Sequence, residues 1–264
     1  MDNKMKYLAI GVVAVIVIAA AAFVFIGDNG DDDENRITFL IQDNQGVYFW
    51  AYGDGDTAID AFEDAADEFD MPFVASTDGN TGEPNGISSL FDLATVQVDG
   101  TWYWWSQFSW NGEEWETNNV MMDQITAADC NGYMAIVYAD WNLDTKTLPT
   151  PEDAKVWNGS EKGTVFTIES SSGMTFKVNG QGDKVIDAFV DATNDYKIPF
   201  VATEKDGKAY GIDSLYGLNM YQDAEGNWHW WGQYVKDNGV WTTSNIMMDG
   251  LSVSENPEFK IVYN

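Results

Sequence analysis

Trp102-Tyr103-Trp104-Trp105-Ser106-Gln107-Phe108 decides how this chain is read, because the run returns as Trp228-His229-Trp230-Trp231-Gly232-Gln233-Tyr234. Each run leads to Asn-Gly (Asn111-Gly112 and Asn238-Gly239), then a further tryptophan (Trp115 and Trp241), then an Asn-x-Met-Met-Asp segment closing at Asp123 or Asp249. The chain is therefore an internal duplication, with module 1 over residues 36–140 and module 2 over residues 164–264. Residues 141–163, with Pro149 and Pro151 in a polar run, read as a linker.

Upstream of each aromatic run the same series of elements is legible. Ile37-Thr38-Phe39-Leu40-Ile41 and Val47-Tyr48-Phe49-Trp50-Ala51 flank a polar turn and read as a β-hairpin, repeated by Val165-Phe166-Thr167-Ile168 and Met174-Thr175-Phe176-Lys177-Val178. Gly53-Asp54-Gly55-Asp56, echoed by Gly180-Gln181-Gly182-Asp183, turns into a helix that Asp56 or Thr57 is placed to cap. Ile59, Phe62, Ala66 and Phe69 form one apolar stripe at helical spacing, matched by Ile186, Phe189, Thr193 and Tyr196; the stripe needs a sheet to cover. Pro72 and Pro199 stop the helices. Residues 79–90 read as a Gly-rich loop with a short apolar plug, followed by a hairpin through Asn111-Gly112 and a closing strand at residues 134–138, echoed at residues 259–263. That order implies an α+β fold, each module carrying one helix on a small mixed or antiparallel sheet.

Three stretches give the modules a family likeness. The helix entry Gly55-Asp56-Thr57-Ala58-Ile59-Asp60-Ala61-Phe62, the segment Gly86-Ile87-Ser88-Ser89-Leu90 and the aromatic strand leading to Asn111-Gly112 together resemble the C-terminal domain of transcobalamin, and module 2 matches over residues 182–189, 211–215 and 228–239. The resemblance implies two tandem β-grasp-like modules, and it makes a corrinoid one candidate ligand.

Charge restricts the partners. The formal net charge is -30, and residues 37–140 carry 19 Asp or Glu with no Lys or Arg. Such a surface repels phosphate backbones, which excludes nucleic acid as a partner, and it repels anionic lipid as well. The acid maintains hydration and solubility or meets divalent cations, although no segment has the spacing of a calcium loop. Hydrophobic residues at 45% are ample for packed cores, so the acid excess does not signal disorder. Cys130 is the only cysteine and makes no internal disulfide.

Residues 8–26 are an uninterrupted apolar run of 19 residues, long enough as a helix to cross a hydrocarbon core of about 30 Å. Lys4 and Lys6 precede the run and the acidic residues 28–34 follow it, which keeps the N-terminus cytoplasmic and sends the modules outside. The expectation is an anchor over residues 1–27 and a tether over residues 28–35. The protein is then a single-pass cell-membrane protein with its C-terminal part extracellular, or a secreted one if Ala19 to Ala22 serve as a signal-peptide cleavage site.

Strand alternation divides the aromatic run into two faces. Trp102, Trp104, Ser106 and Phe108 share one, with Trp228, Trp230, Gly232 and Tyr234 as counterparts; Tyr103, Trp105 and Gln107 share the other, with His229, Trp231 and Gln233. One helix covers one face. The second set, Tyr103, Trp105, Gln107, His229, Trp231 and Gln233, is therefore the expected ligand-binding face, its glutamines offering donors and an acceptor beside stacking rings. That suits a small molecule or a glycan bound without catalysis, cofactor or metal, since no nucleophile, phosphate loop or metal-ligand spacing is present. The alternative is a structural or adhesive envelope protein, its aromatic faces packed between modules or subunits, or under the 79–90 loop.

Overall fold

A computed structural model describes residues 34–264, so the expected anchor at 8–26 and nearly all of the tether lie outside the described residues. Module 1 runs β1 (Arg36–Gln42), β2 (Tyr48–Asp54), α1 (Ala58–Glu68), β3 (Phe73–Thr77), β4 (Pro84–Leu90), β5 (Leu93–Ala94), β6 (Val96–Val98), β7 (Thr101–Trp110), β8 (Trp115–Thr117) and β9 (Tyr133–Ala139). Module 2 runs β10 (Thr164–Glu169), β11 (Thr175–Gly180), α2 (Val185–Asp195), β12 (Phe200–Lys205), β13 (Lys208–Leu215), β14 (Leu218–Asn219), β15 (Tyr221–Gln222), β16 (Trp228–His229), β17 (Trp231–Asp237), β18 (Val240–Thr243) and β19 (Glu258–Tyr263).

The main sheet of module 1 has the order β2-β1-β9-β7-β6, with β8 also paired to β7; that of module 2 is β11-β10-β19-β17-β18. In each the two central strands are parallel (β1 with β9, β10 with β19) and the other neighbours antiparallel. Two three-stranded sheets, β3-β4-β5 and β12-β13-β14, and a two-stranded one, β15-β16, lie outside them.

The fold class expected above requires correction. Over the described residues the expected α+β chain of tandem β-grasp-like modules is replaced by a mostly β one, 44% strand in several sheets. The residues read as loop and plug pair as strands: Gly86 lies opposite Ser76 and Leu90 opposite Phe73, and the counterpart Gly211 lies opposite Thr203. Register shifts within both pairings break the strict alternation by which a strand is recognised in sequence. Among the described residues no helix is long and apolar enough to cross a membrane.

Each helix lies on one face of its main sheet through a glycine. Gly53 on β2 and Gly180 on β11 leave room for the backbone of the helix that follows: a Cβ at Gly53 would collide with the Ala61 carbonyl and stand 2.6 Å from the Ala65 nitrogen. Small residues on the helix side, Ala58, Ala61 and Ala65, complete this close approach and let Phe62 meet Phe39 edge-on at 5.1 Å. Thr57 caps α1, its hydroxyl accepting from the Asp60 N–H while the Asp60 carboxylate accepts from the Thr57 N–H, a capping box. Lys184 occupies the same place on α2 without a side-chain cap.

The opposite face of module 1 is covered in part by the segment around Leu148 and Pro149. Trp50, Trp110 and Trp115 cluster there, the Trp115 indole N–H donates to the Pro149 carbonyl at 2.9 Å, and Leu148 is buried. The expected linker is thus packed, its first half against module 1 and its second against module 2, where Lys155 meets Asp195 at 2.7 Å.

The modules meet through β2 and β11. Phe49 stacks on its own counterpart Phe176, ring centroids 5.1 Å apart and planes 4° from parallel, while the equivalent turns at 43–47 and 170–174 touch through Ser172 Oγ donating to Asp43 Oδ2 at 2.7 Å. Residue meeting counterpart is the signature of a two-fold contact, here within one chain. Tyr216 donates its hydroxyl to the Tyr48 carbonyl and Tyr48 donates to that of Lys197, each at 2.6 Å.

Burial, with the Asp153 charge adding to it, pushes the Tyr48 hydroxyl up to about 12. A group whose folded pKa is raised stabilises fully below its unfolded value, about 10 for tyrosine, and that contribution is lost as pH climbs through the folded value. The stability advantage of the native chain over Tyr48→Phe is expected to hold up to about pH 10 and to vanish by about pH 12. Urea unfolding of both proteins across that range checks it; an advantage unchanged at the alkaline end would show that the hydroxyl is not confined.

Candidate functional site

The six residues expected to form an open binding face do not share one fate. The β7–β9 register places Trp105 opposite Tyr138 and Gln107 opposite Ile136, and β9 pairs with β1 so that Met134 lies beside Phe39. Tyr103, Trp105 and Gln107 therefore lie on the helix side of the sheet. Trp105 is 4% exposed; its indole N–H donates to the Leu93 carbonyl at 2.8 Å and its ring packs 5.2 Å from Tyr138, whose hydroxyl donates to the Ala94 carbonyl. Trp231 repeats this at 6% exposure, donating to Leu218 at 2.9 Å and packing on Tyr263, which donates to Asn219. These Trp–Tyr pairs bind the small sheets to the main ones. The expectation that Trp105 and Trp231 are ligand platforms is corrected: where α1 and α2 end, the small sheets extend the cover.

Tyr103 is half-buried, its ring 6.3 Å from that of Tyr138. Gln107 and Gln233 are half-buried between the two sheets of their modules: a Cβ on Gly86 would stand 3.4 Å from Gln107 Nε2 and 3.2 Å from Met121 Cε, and one on Gly211 would stand 3.8 Å from Gln233 Nε2 and 2.6 Å from Met247 Cε. His229 stacks on Tyr221 at 4.6 Å, with Nδ1 3.1 Å from the Asn264 carbonyl and Nε2 3.3 Å from Asp223 Oδ2. The Asp223 carboxyl is held down to about 2, first by hydrogen bonding from the Asn227 side chain and then, against the opposing desolvation, by the Asn227 main chain and His229. Cys130 is buried, and burial raises its thiol to about 11, the reverse of what a nucleophile needs.

The face first assigned to the core holds the exposed rings. Trp102 is 52% exposed and Trp228 53%, each on a short hairpin, β6–β7 in module 1 and β15–β16 in module 2. Directly across the hairpin, and so on the same face, stands an exposed glutamine: Gln97 opposite Trp102 and Gln222 opposite Trp228. Gln97 Nε2 donates to the Gly100 carbonyl at 3.3 Å and Gln222 Nε2 to the Gly226 carbonyl at 2.8 Å, tying each carboxamide nitrogen to its own turn. An indole with a neighbouring carboxamide was expected at Trp105 and Gln107; the folded chain builds it three residues earlier in the strand and completes it from the adjacent one. The sequence carries a signal for this pairing. Gln97-Val98-Asp99-Gly100-Thr101-Trp102 and Gln222-Asp223-Ala224-Glu225-Gly226-Asn227-Trp228 each set Gln and Trp on either side of an Asp- and Gly-containing turn.

No protein-family model, curated protein or solved structure matches the chain. Among the described residues no group of three or more His, Cys, Asp or Glu could hold a metal ion.

Proposed function

We propose that this chain is a non-catalytic binding protein, held at the outer face of a membrane by residues 8–26, that recognises glycan through two tryptophan–glutamine platforms, Trp102 with Gln97 and Trp228 with Gln222. The observation that carries the reading is recurrence: the same half-exposed ring stands beside the same carboxamide in both modules. A fully buried indole removes about 200 Å² from water. Leaving half of it outside forgoes roughly 2.5 kcal/mol of burial, and the chain does so twice. A flat indole matches the C–H face of a sugar ring, and the amide oxygen beside it matches a ring hydroxyl. A corrinoid, the ligand suggested by resemblance, suits an enclosing cavity rather than an open hairpin.

The exposed side chains Val96, Val98, Met220 and Tyr221 around these hairpins favour a second reading, an adhesive envelope protein whose hairpins pack against neighbouring subunits. Tryptophan fluorescence of the full chain titrated with neutral, amino and acidic oligosaccharides and with a corrinoid separates the two. Quenching by a glycan that disappears in the Trp102→Ala, Trp228→Ala double variant is the expected result. A flat titration with every ligand, together with concentration-dependent association in sedimentation, would favour adhesion instead.

A further inference from the structure

Resting on that assignment of the hairpins, the chemistry of the platforms goes further and specifies the charge of the sugar. A main-chain carbonyl only accepts, so the Gly100 and Gly226 carbonyls each engage the nitrogen end of their glutamine. What remains for a ligand is the amide oxygen, which receives no hydrogen bond from the described residues at either Gln97 or Gln222, and, on the same face of the hairpin, the electron-rich indole of the residue paired with it. Both groups attract donors and positive charge.

The surroundings have the same sign. Residues 96–102 contain Asp99 and no Lys or Arg, and residues 220–230 contain Asp223 and Glu225 and no Lys or Arg. In module 1 no basic side chain occurs anywhere from 37 to 140. The field of a chain with net charge -30 concentrates cations at its surface and disfavours uronates and sulfated sugars. A neutral sugar gains nothing from that field. A sugar bearing a free ammonium group gains from it, from the ring face and from the amide oxygen together.

We propose that both platforms select amine-bearing sugar units, placing the ammonium at the glutamine oxygen and the indole face, in preference to N-acylated or acidic units of the same backbone.

The test is a tryptophan-fluorescence titration of the full chain with oligomers of glucosamine, N-acetylglucosamine and galacturonate of equal length, and with a lysine peptide of matched charge, at low and high salt. The glucosamine oligomer is expected to bind about two- to fivefold more tightly than its acetylated counterpart, the range of a surface cation–π contact. The preference should shrink with salt and vanish in the Trp102→Ala, Trp228→Ala double variant, whose unchanged circular dichroism would show that the fold is retained. Equal affinity for the free and acetylated oligomers would overturn the ammonium selection while leaving glycan recognition in place. Equal binding of the lysine peptide would overturn it in favour of unspecific charge attraction. Binding of none of the four would remove both.

Discussion

Trp105→Ala is expected to lower the free energy of unfolding by about 4 kcal/mol, and Trp102→Ala, which loses only a half-buried ring, by about 2 kcal/mol or less. The two rings are three residues apart on one strand, and alternation sends them to opposite faces. Trp105 is enclosed between the main sheet and β3-β4-β5, so truncation leaves a ring-sized cavity and strips the Leu93 carbonyl of its donor. Trp102 is half in water, and its removal opens no cavity. Urea unfolding of the two single variants with an unchanged slope gives the comparison. Trp231 and Trp228 should divide in the same way. Equal losses at Trp102 and Trp105 would mean that the two faces of β7 have been assigned the wrong way round.

The second large effect lies at the glycines beneath the helices. Gly53→Ala and Gly180→Ala each place a methyl group into backbone: the Ala61 carbonyl and Ala65 nitrogen in one module, the Ala188 carbonyl and Ala192 nitrogen in the other. Backbone has no rotamer by which to yield, so the helix must lift from the sheet and loosen the Phe39–Phe62 or Phe166–Phe189 contact. Overpacking of this kind costs about 3 kcal/mol or more. Gly79→Ala, where the added carbon meets nothing within 4 Å, is the control and should leave the melting temperature unaltered. A Gly53→Ala protein as stable as that control would refute the close helix approach.

These two sites show what a sequence discloses about this fold and what it withholds. The duplication, the first hairpin of each module and the helix stripe were legible because each is a local pattern: repetition, alternation around a turn, and the i, i+3, i+7 spacing that buries Ile59, Phe62 and Ala66. The cover of β7 is not local. Alternation separates Trp105 from Trp102, but only the pairing of β7 with β9, and of β9 with β1, ties Trp105 to the face that carries Gly53 and α1. That chain of registers joins residues nearly a hundred positions apart. The packing of residues 141–163 was hidden for a related reason. Proline and polar residues mark irregular backbone, and Leu148 and Pro149 act through where they land, on Trp115, rather than through any period. The Trp–Gln platforms fall between: their turns are readable, but alternation alone does not say which face of the strand is left uncovered.

The stacking of Phe49 on Phe176 has one consequence for how the protein behaves in use. Contacts of this self-matching kind ordinarily hold separate polypeptides together and come apart on dilution; here a continuous backbone keeps the halves at an effective concentration on the order of millimolar. The pairing is then indifferent to how much protein a cell makes. Freed from having to mate with an identical copy, the halves are able to drift apart in character, as the histidine standing in place of a tyrosine and the lysines present in module 2 but absent from module 1 already illustrate.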